Sequence, residues 1–70
     1  MIRYYPQFNV GDKVKPRSQN GSTYNGIVKL LYFELGEFYY VISPDDTNIQ
    51  NQIENGEYTL IECCVVRITN

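Results

Sequence analysis

The chain contains no histidine and no tryptophan, and its two cysteines, Cys63 and Cys64, are adjacent. Without histidine, a serine or cysteine nucleophile lacks its usual base. Two cysteines alone cannot complete a four-ligand zinc site. Adjacent residues of a strand point to opposite faces, so these two are not expected to bridge to each other. A stapled secreted scaffold would carry more cysteines at wider spacing. The pair therefore reads as buried structural thiols in a reduced, cytoplasmic protein. No apolar run reaches the ~18 residues of a membrane span. The start, Met1-Ile2-Arg3-Tyr4-Tyr5-Pro6, has no run of signal-peptide length. The Asx-rich spacing of a calcium loop is also missing, so Asp45 and Asp46 read as solvated turn residues. There is no phosphate-loop spacing, no internal repeat, no linker and no sustained 3.6-residue apolar period. These absences argue against an enzyme, and neither a metal nor a cofactor is expected.

What is present is tyrosine and strand-forming sequence. Seven tyrosines and three phenylalanines occur in 70 residues. A chain this short is one domain, 1–70, and buries only roughly 60% of its unfolded surface. A second subunit is one common remedy for so small a core. Net charge is −2, unevenly placed. Residues 1–33 carry 5 basic and 1 acidic group, a balance of +4, and residues 34–70 carry 1 and 7, a balance of −6. This asymmetry predicts one basic and one acidic side, unless the strands interleave in space. The acidic total weighs against a protein that coats nucleic acid.

Residues 24–42 organise the rest. Residues 24–34 read as one long strand, Leu35-Gly36-Glu37 as a turn and residues 38–42 as a second strand, all rich in β-branched and aromatic side chains. Gly26, inside strand-forming sequence, predicts a bulge or a close strand approach. Both alternating sets of the first strand are apolar: Val28, Leu30 and Tyr32 on one, and Ile27, Leu31 and Phe33, interrupted by Lys29, on the other. The same holds for Phe38, Tyr40 and Ile42 against Tyr39 and Val41. Such a strand is buried twice or bent across two sheets. In so small a domain, it either coils around a tiny barrel or turns one face to another chain.

Around this hairpin, residues 1–9 read as an N-terminal arm docked on the core, with Phe8 as a plug for one end. Residues 10–17 form the first strand candidate, opened by a turn at Val10-Gly11-Asp12 and ended by Pro16. Lys13, Lys15 and Arg17 alternate onto one face, either as edge protection or as a contact for an anion or acidic partner. Residues 18–23 are a polar loop with a turn at Asn20-Gly21. Asn55-Gly56 predicts a hairpin between 49–54 and 57–61, with a short helical turn at 48–53 as the competing reading. Glu62-Cys63-Cys64 reads as a 3₁₀ turn before a last strand at 65–68.

Phe8-x-Val10-Gly11-Asp12-x-Val14, the polar loop, Gly26-Ile27-Val28, Phe38-Tyr39-Tyr40-Val41-Ile42, Leu60-Ile61 and Val66-x-Ile68 together resemble the SH3-like small barrels. The pattern is most similar to KOW and Tudor-like modules and to similar barrels in bacterial and phage proteins. That resemblance implies an all-β, five-stranded SH3-like barrel with a short 3₁₀ turn before the last strand. It does not select a function, because many functions share the fold.

The tyrosines point to surface recognition, since tyrosine joins a large apolar body to a hydroxyl that can stay wet. The first functional expectation is a non-enzymatic, regulatory adaptor or inhibitor that binds a protein partner or itself. The second is a nucleic-acid-binding or nucleotide-sequestering barrel, with Lys13, Lys15 and Arg17 on phosphate and Tyr24, Tyr39 or Tyr40 stacked on bases. Lys29 and Phe33 complete the candidate binding set. A purely structural role for the tyrosines, as favoured strand residues, stands beside both readings.

Overall fold

The computed structural model describes residues 5–17 and 25–68. Five strands form one antiparallel sheet: β1 (Lys13–Pro16), β2 (Gly26–Glu34), β3 (Glu37–Pro44), β4 (Tyr58–Ile61) and β5 (Val65–Arg67). Their order across the sheet is β4-β3-β2-β1-β5. The protein is thus mostly β, as expected. Among the described residues no ladder joins β4 to β5, so the sheet is not closed by hydrogen bonds into a barrel.

The central hairpin pairs Glu34 with Glu37, which leaves a two-residue turn, Leu35-Gly36. Both residues have positive φ, 52° for Leu35 and 81° for Gly36. A two-residue turn of this hand matches the twist of the flanking strands. Glycine takes the conformation freely, whereas for leucine it is strained. Leu35 is also 90% exposed, so no packing within its own chain offsets that strain.

The register shifts between Val28 and Leu30, leaving Lys29 as a bulge. This corrects the expected facing of side chains, because one extra residue exchanges the two alternating sets. Val28 opposite Ile42 and Leu31 opposite Tyr40 point inward, where Val28, Ile42 and Tyr40 are fully buried and Leu31 packs on them. Leu30 opposite Val41 and Tyr32 opposite Tyr39 lie on the outer face. Gly26 is not the bulge. It is the close approach: a Cβ there would sit on the Ser43 carbonyl oxygen and within 2.8 Å of the Ile42 Cγ2.

The buried core is Phe8, Val14, Val28, Tyr40, Ile42 and Val65, with Leu31, Phe38, Tyr58 and Leu60 packed against it. Phe8, 6% exposed, sets its ring edge-on to Tyr40 with centroids 5.4 Å apart. The described part of the N-terminal arm is therefore docked. The approach to β1 is a turn held by Asp12 N–H on the Asn9 carbonyl (3.0 Å) and Asn9 N–H on the Asp12 carboxylate (2.9 Å).

Of the two readings for this segment, the strand at 49–54 gives way to the helical one: the chain forms a helix, α1 (Thr47–Gln52). Ile49 and Ile53 stand one helical turn apart, and Ile53 N–H donates to the Ile49 carbonyl. The Asp46 carboxylate caps the helix by accepting from Asn48 N–H at 2.8 Å. Asn55 and Gly56 do adopt positive φ, but inside a 3₁₀ turn, Glu54–Gly56, that leads into β4. The second 3₁₀ turn, Glu62–Cys64, precedes β5 as expected. The polar loop at 18–23 and Tyr24 lie outside the described residues.

Two outcomes follow. Gly26→Ala should destabilise the fold by about 2 kcal/mol or more in urea unfolding, since β3 backbone must move. Leu35→Asn should stabilise the dilute chain by about 1 kcal/mol, because asparagine tolerates the left-handed turn position far better than leucine.

Candidate functional site

The outer face of the sheet is built by the bulge. Beyond Lys29, β2 presents Leu30 and Tyr32 outward, and β3 presents Val41 and Tyr39 opposite them. The Tyr32 and Tyr39 rings stack 5.2 Å apart at 12°. On the next strand Ile61 stands beside Tyr39, and Thr59 beside Val41. Leu30 is 55% exposed and Tyr32 is 38% exposed. Together these side chains form one apolar stripe across three strands, exposed at Leu30 and Tyr32 and half-buried at Tyr39, Val41 and Ile61.

Charge is polarised along that stripe. At the tip of the hairpin Glu34 and Glu37 are cross-strand partners and both exposed. Like charges directly opposite one another are unfavourable. At the other end Lys13 pairs with Ile27, and Lys29 lines a hollow of about 300 Å³ with Ile27, Ser43, Pro44, Asp45 and Gln50. The Gln50 side-chain amide closes one wall of this hollow by donating to the Pro44 carbonyl at 2.5 Å. Among the described residues, no salt bridge engages Lys13, Lys15 or Lys29. The acidic pair thus stands at one end of the face, whereas the end that carries Lys13 and Lys29 also carries Asp45, where the two halves of the chain interleave.

The structure separates the expected binding residues. Lys13, Lys29 and Tyr39 belong to the outer face, and Lys15, half-buried, shares it through its pairing with Val66. Phe33 is 47% exposed on the opposite face, edge-on to Phe38 with centroids 4.9 Å apart. Arg17 is occupied structurally: its Nε donates to the Cys63 carbonyl at 2.8 Å and its backbone N–H donates to the Cys64 carbonyl at 2.8 Å. Tyr24 lies outside the described residues.

Tyr40 is a correction. It is fully buried and cannot stack on a ligand. Its hydroxyl donates to the Glu62 carboxylate at 2.7 Å and accepts from Phe8 N–H at 3.4 Å. The same carboxylate oxygen accepts from Gln7 N–H at 3.2 Å. Burial, reinforced by the Glu62 hydrogen bond, pushes the Tyr40 phenol up to about 12 from its ordinary 10.0.

The cysteines are a second correction. On the 3₁₀ turn both are exposed, and their sulfurs lie 3.8 Å apart rather than on opposite faces. A 3₁₀ turn does not alternate side chains as a strand does. The hydrogen bond to Cys64 holds the Cys63 thiol above its usual range, and the charge of Glu37 acts in the same direction. That is the opposite of an activated thiolate. Among the described residues no group of three or more His, Cys, Asp or Glu is placed to hold a metal. No described helix is long and apolar enough to cross a membrane.

The outer face was only half legible beforehand. Its composition was visible in the two-sided apolar pattern. Leu30, Tyr32, Leu35 and Val41 escaped the candidate set because nothing in the sequence marks the bulge. No protein-family model, curated protein or solved structure matches this chain.

The buried phenol sets an alkaline limit on stability. A folded pKa raised above the unfolded value contributes stability that is complete below about pH 10 and is lost as pH rises toward 12. The free energy of unfolding should therefore fall between about pH 10 and 12, by on the order of 2–3 kcal/mol. Tyr40→Phe should reduce that slope while costing about 1–3 kcal/mol at neutral pH, because Phe8 N–H loses its acceptor and Glu62 keeps only Gln7 N–H. Denaturant titrations across this pH range measure both.

Proposed function

We propose that this chain is a non-enzymatic binding module of adaptor or inhibitor type that acts by protein–protein interaction. One observation carries the reading: the central hairpin turns a continuous apolar stripe, Leu30, Tyr32, Tyr39, Val41 and Ile61, away from the core. A contiguous exposed apolar patch rimmed by charge marks an interaction surface. Tyrosine, at its centre, is among the residue types enriched in such contacts.

The architecture we assign is an SH3-like small barrel of bacterial or phage regulatory type, working in the cytoplasm. The succession of strand, polar loop, long strand pair, 3₁₀ turn and short last strand supports it. So does the core. One sheet, with Phe8 of the arm against it, buries Val14, Val28, Tyr40 and Ile42 completely, as a sheet that curls on itself would.

A nucleic-acid role has weaker support. Lys13, Lys15 and Lys29 share a face with Tyr39, but Tyr40 is buried and Arg17 is tied to the cysteine turn. The acidic hairpin tip would repel phosphate on that same face.

The test compares the wild-type chain with Leu30→Asp, a change at an exposed position, after circular dichroism confirms that both are folded. Binding to the partner, whether a second copy or another protein, should weaken tenfold or more, the range of a central interface residue. A wild-type chain that stays monomeric and retains no protein, or a partner bound equally by Leu30→Asp, would overturn the reading.

A further inference from the structure

The face just described is self-complementary, and we infer that its occupant is a second copy of this chain, packed face to face about a two-fold axis near Leu31. This rests on the proposed binding role and names the partner. A two-fold contact requires that each feature of the surface meet its own complement elsewhere on the same surface. Three pairs of features do so here.

The first pair is electrostatic. Glu34 and Glu37 stand at the hairpin tip, and Lys29 stands at the far end of the same face, with Lys13 on the neighbouring β1 and Asp45 across the hollow. Turning one copy by half a revolution about Leu31 lays β2 over its own copy in reverse and sets Glu34 over Lys29 of its partner, twice per dimer. The second pair is steric. With Lys29 bulged, Ile27 stands three ladder positions from Leu31 on one side and Glu34, which Leu35 follows in the turn, three on the other, roughly 10 Å each way at the usual rise. The same rotation therefore places Leu35 over the partner's hollow, which Ile27, Lys29, Ser43, Pro44, Asp45 and Gln50 line with about 300 Å³ of space. The third pair is the apolar stripe itself, with Leu30 and Val41 of one copy against Tyr32 and Tyr39 of the other.

Two otherwise unfavourable local features gain a reason in this arrangement. The cross-strand pair Glu34–Glu37 receives cations. The strained, 90% exposed Leu35 receives a pocket. The size is also adequate. A stable interface takes roughly 800 Å² from each partner, a modest share of this chain's 5084 Å².

The decisive experiment is solution mass by sedimentation and light scattering, from low micromolar to near-millimolar concentration, on four samples. The wild-type chain should dimerise. Lys29→Glu should sediment as a monomer, because residue 29 then meets Glu34 and Glu37 of its partner. The double variant Glu34→Lys with Glu37→Lys should also be monomeric, for the mirrored reason. An equimolar mixture of these two should recover the dimer, since both ends are again complementary, and this recovery shows that neither variant had merely misfolded. Leu35→Asn, which relieves backbone strain, should nonetheless weaken the dimer at least tenfold. A wild-type chain that is monomeric throughout overturns the inference, as does a dimer unaffected by the charge variants or two variants that fail to recover one another on mixing. A monomer that still binds another protein through Leu30 would sink the self-pairing and leave the binding role standing.

Discussion

The hydroxyl of Tyr40 holds together the parts that sequence keeps far apart. It donates to Glu62 on the turn before β5, and it receives Phe8 N–H from the N-terminal arm. Its ring fills the centre of the core against Phe8. A buried hydroxyl left without a partner would be costly, so arm, β3 and turn are fixed as a unit. Arg67 completes the tie from the other side, donating to the Gln7 carbonyl and the Asp12 carboxylate while its guanidinium lies over the Phe8 ring. Arg17 does the same for the cysteine turn.

Because those ties consume the inner face, the outer face is free to differ. Among the described residues, six form the buried hydrophobic cluster, drawn from the arm and from β1, β2, β3 and β5. Leu31 and Phe38 of the hairpin pack against them, whereas Leu30, Tyr32, Tyr39 and Val41 face the other way. The bulge at Lys29 enforces this division. By adding one residue to β2 it keeps Val28 inward, then turns Leu31 inward and Leu30 outward. Without it, the strand would bury Leu30 and Tyr32 and present Leu31 and Phe33 instead.

Much of this was readable from residue order. β-branched and aromatic runs around Leu35-Gly36 announced the hairpin, and Gly26 announced a close strand contact. Glu62-Cys63-Cys64 announced a turn before the last strand. Three things were hidden. A bulge has no sequence mark here, because Lys29 looks like an ordinary outward residue. Ile49 and Ile53 satisfy a helix as well as a strand, and the Asp46 cap decides between them. The burial of Tyr40 depends on Phe8 and Glu62, 32 and 22 residues away, which no local pattern reveals. The site was legible in kind, as surplus aromatic surface, but not in its facing.

The central claim is that the outer face of the hairpin, and no other surface, is covered when the protein works. The most direct measurement is amide chemical-shift mapping of an isotopically labelled chain titrated with unlabelled copies of itself. The account predicts shifts concentrated at Lys29, Leu30, Tyr32, Leu35, Tyr39 and Val41, with Val65, Val66 and Arg67 of β5 unmoved. Shifts centred on the β5 edge or the cysteine turn, or no shifts at any concentration, would contradict it.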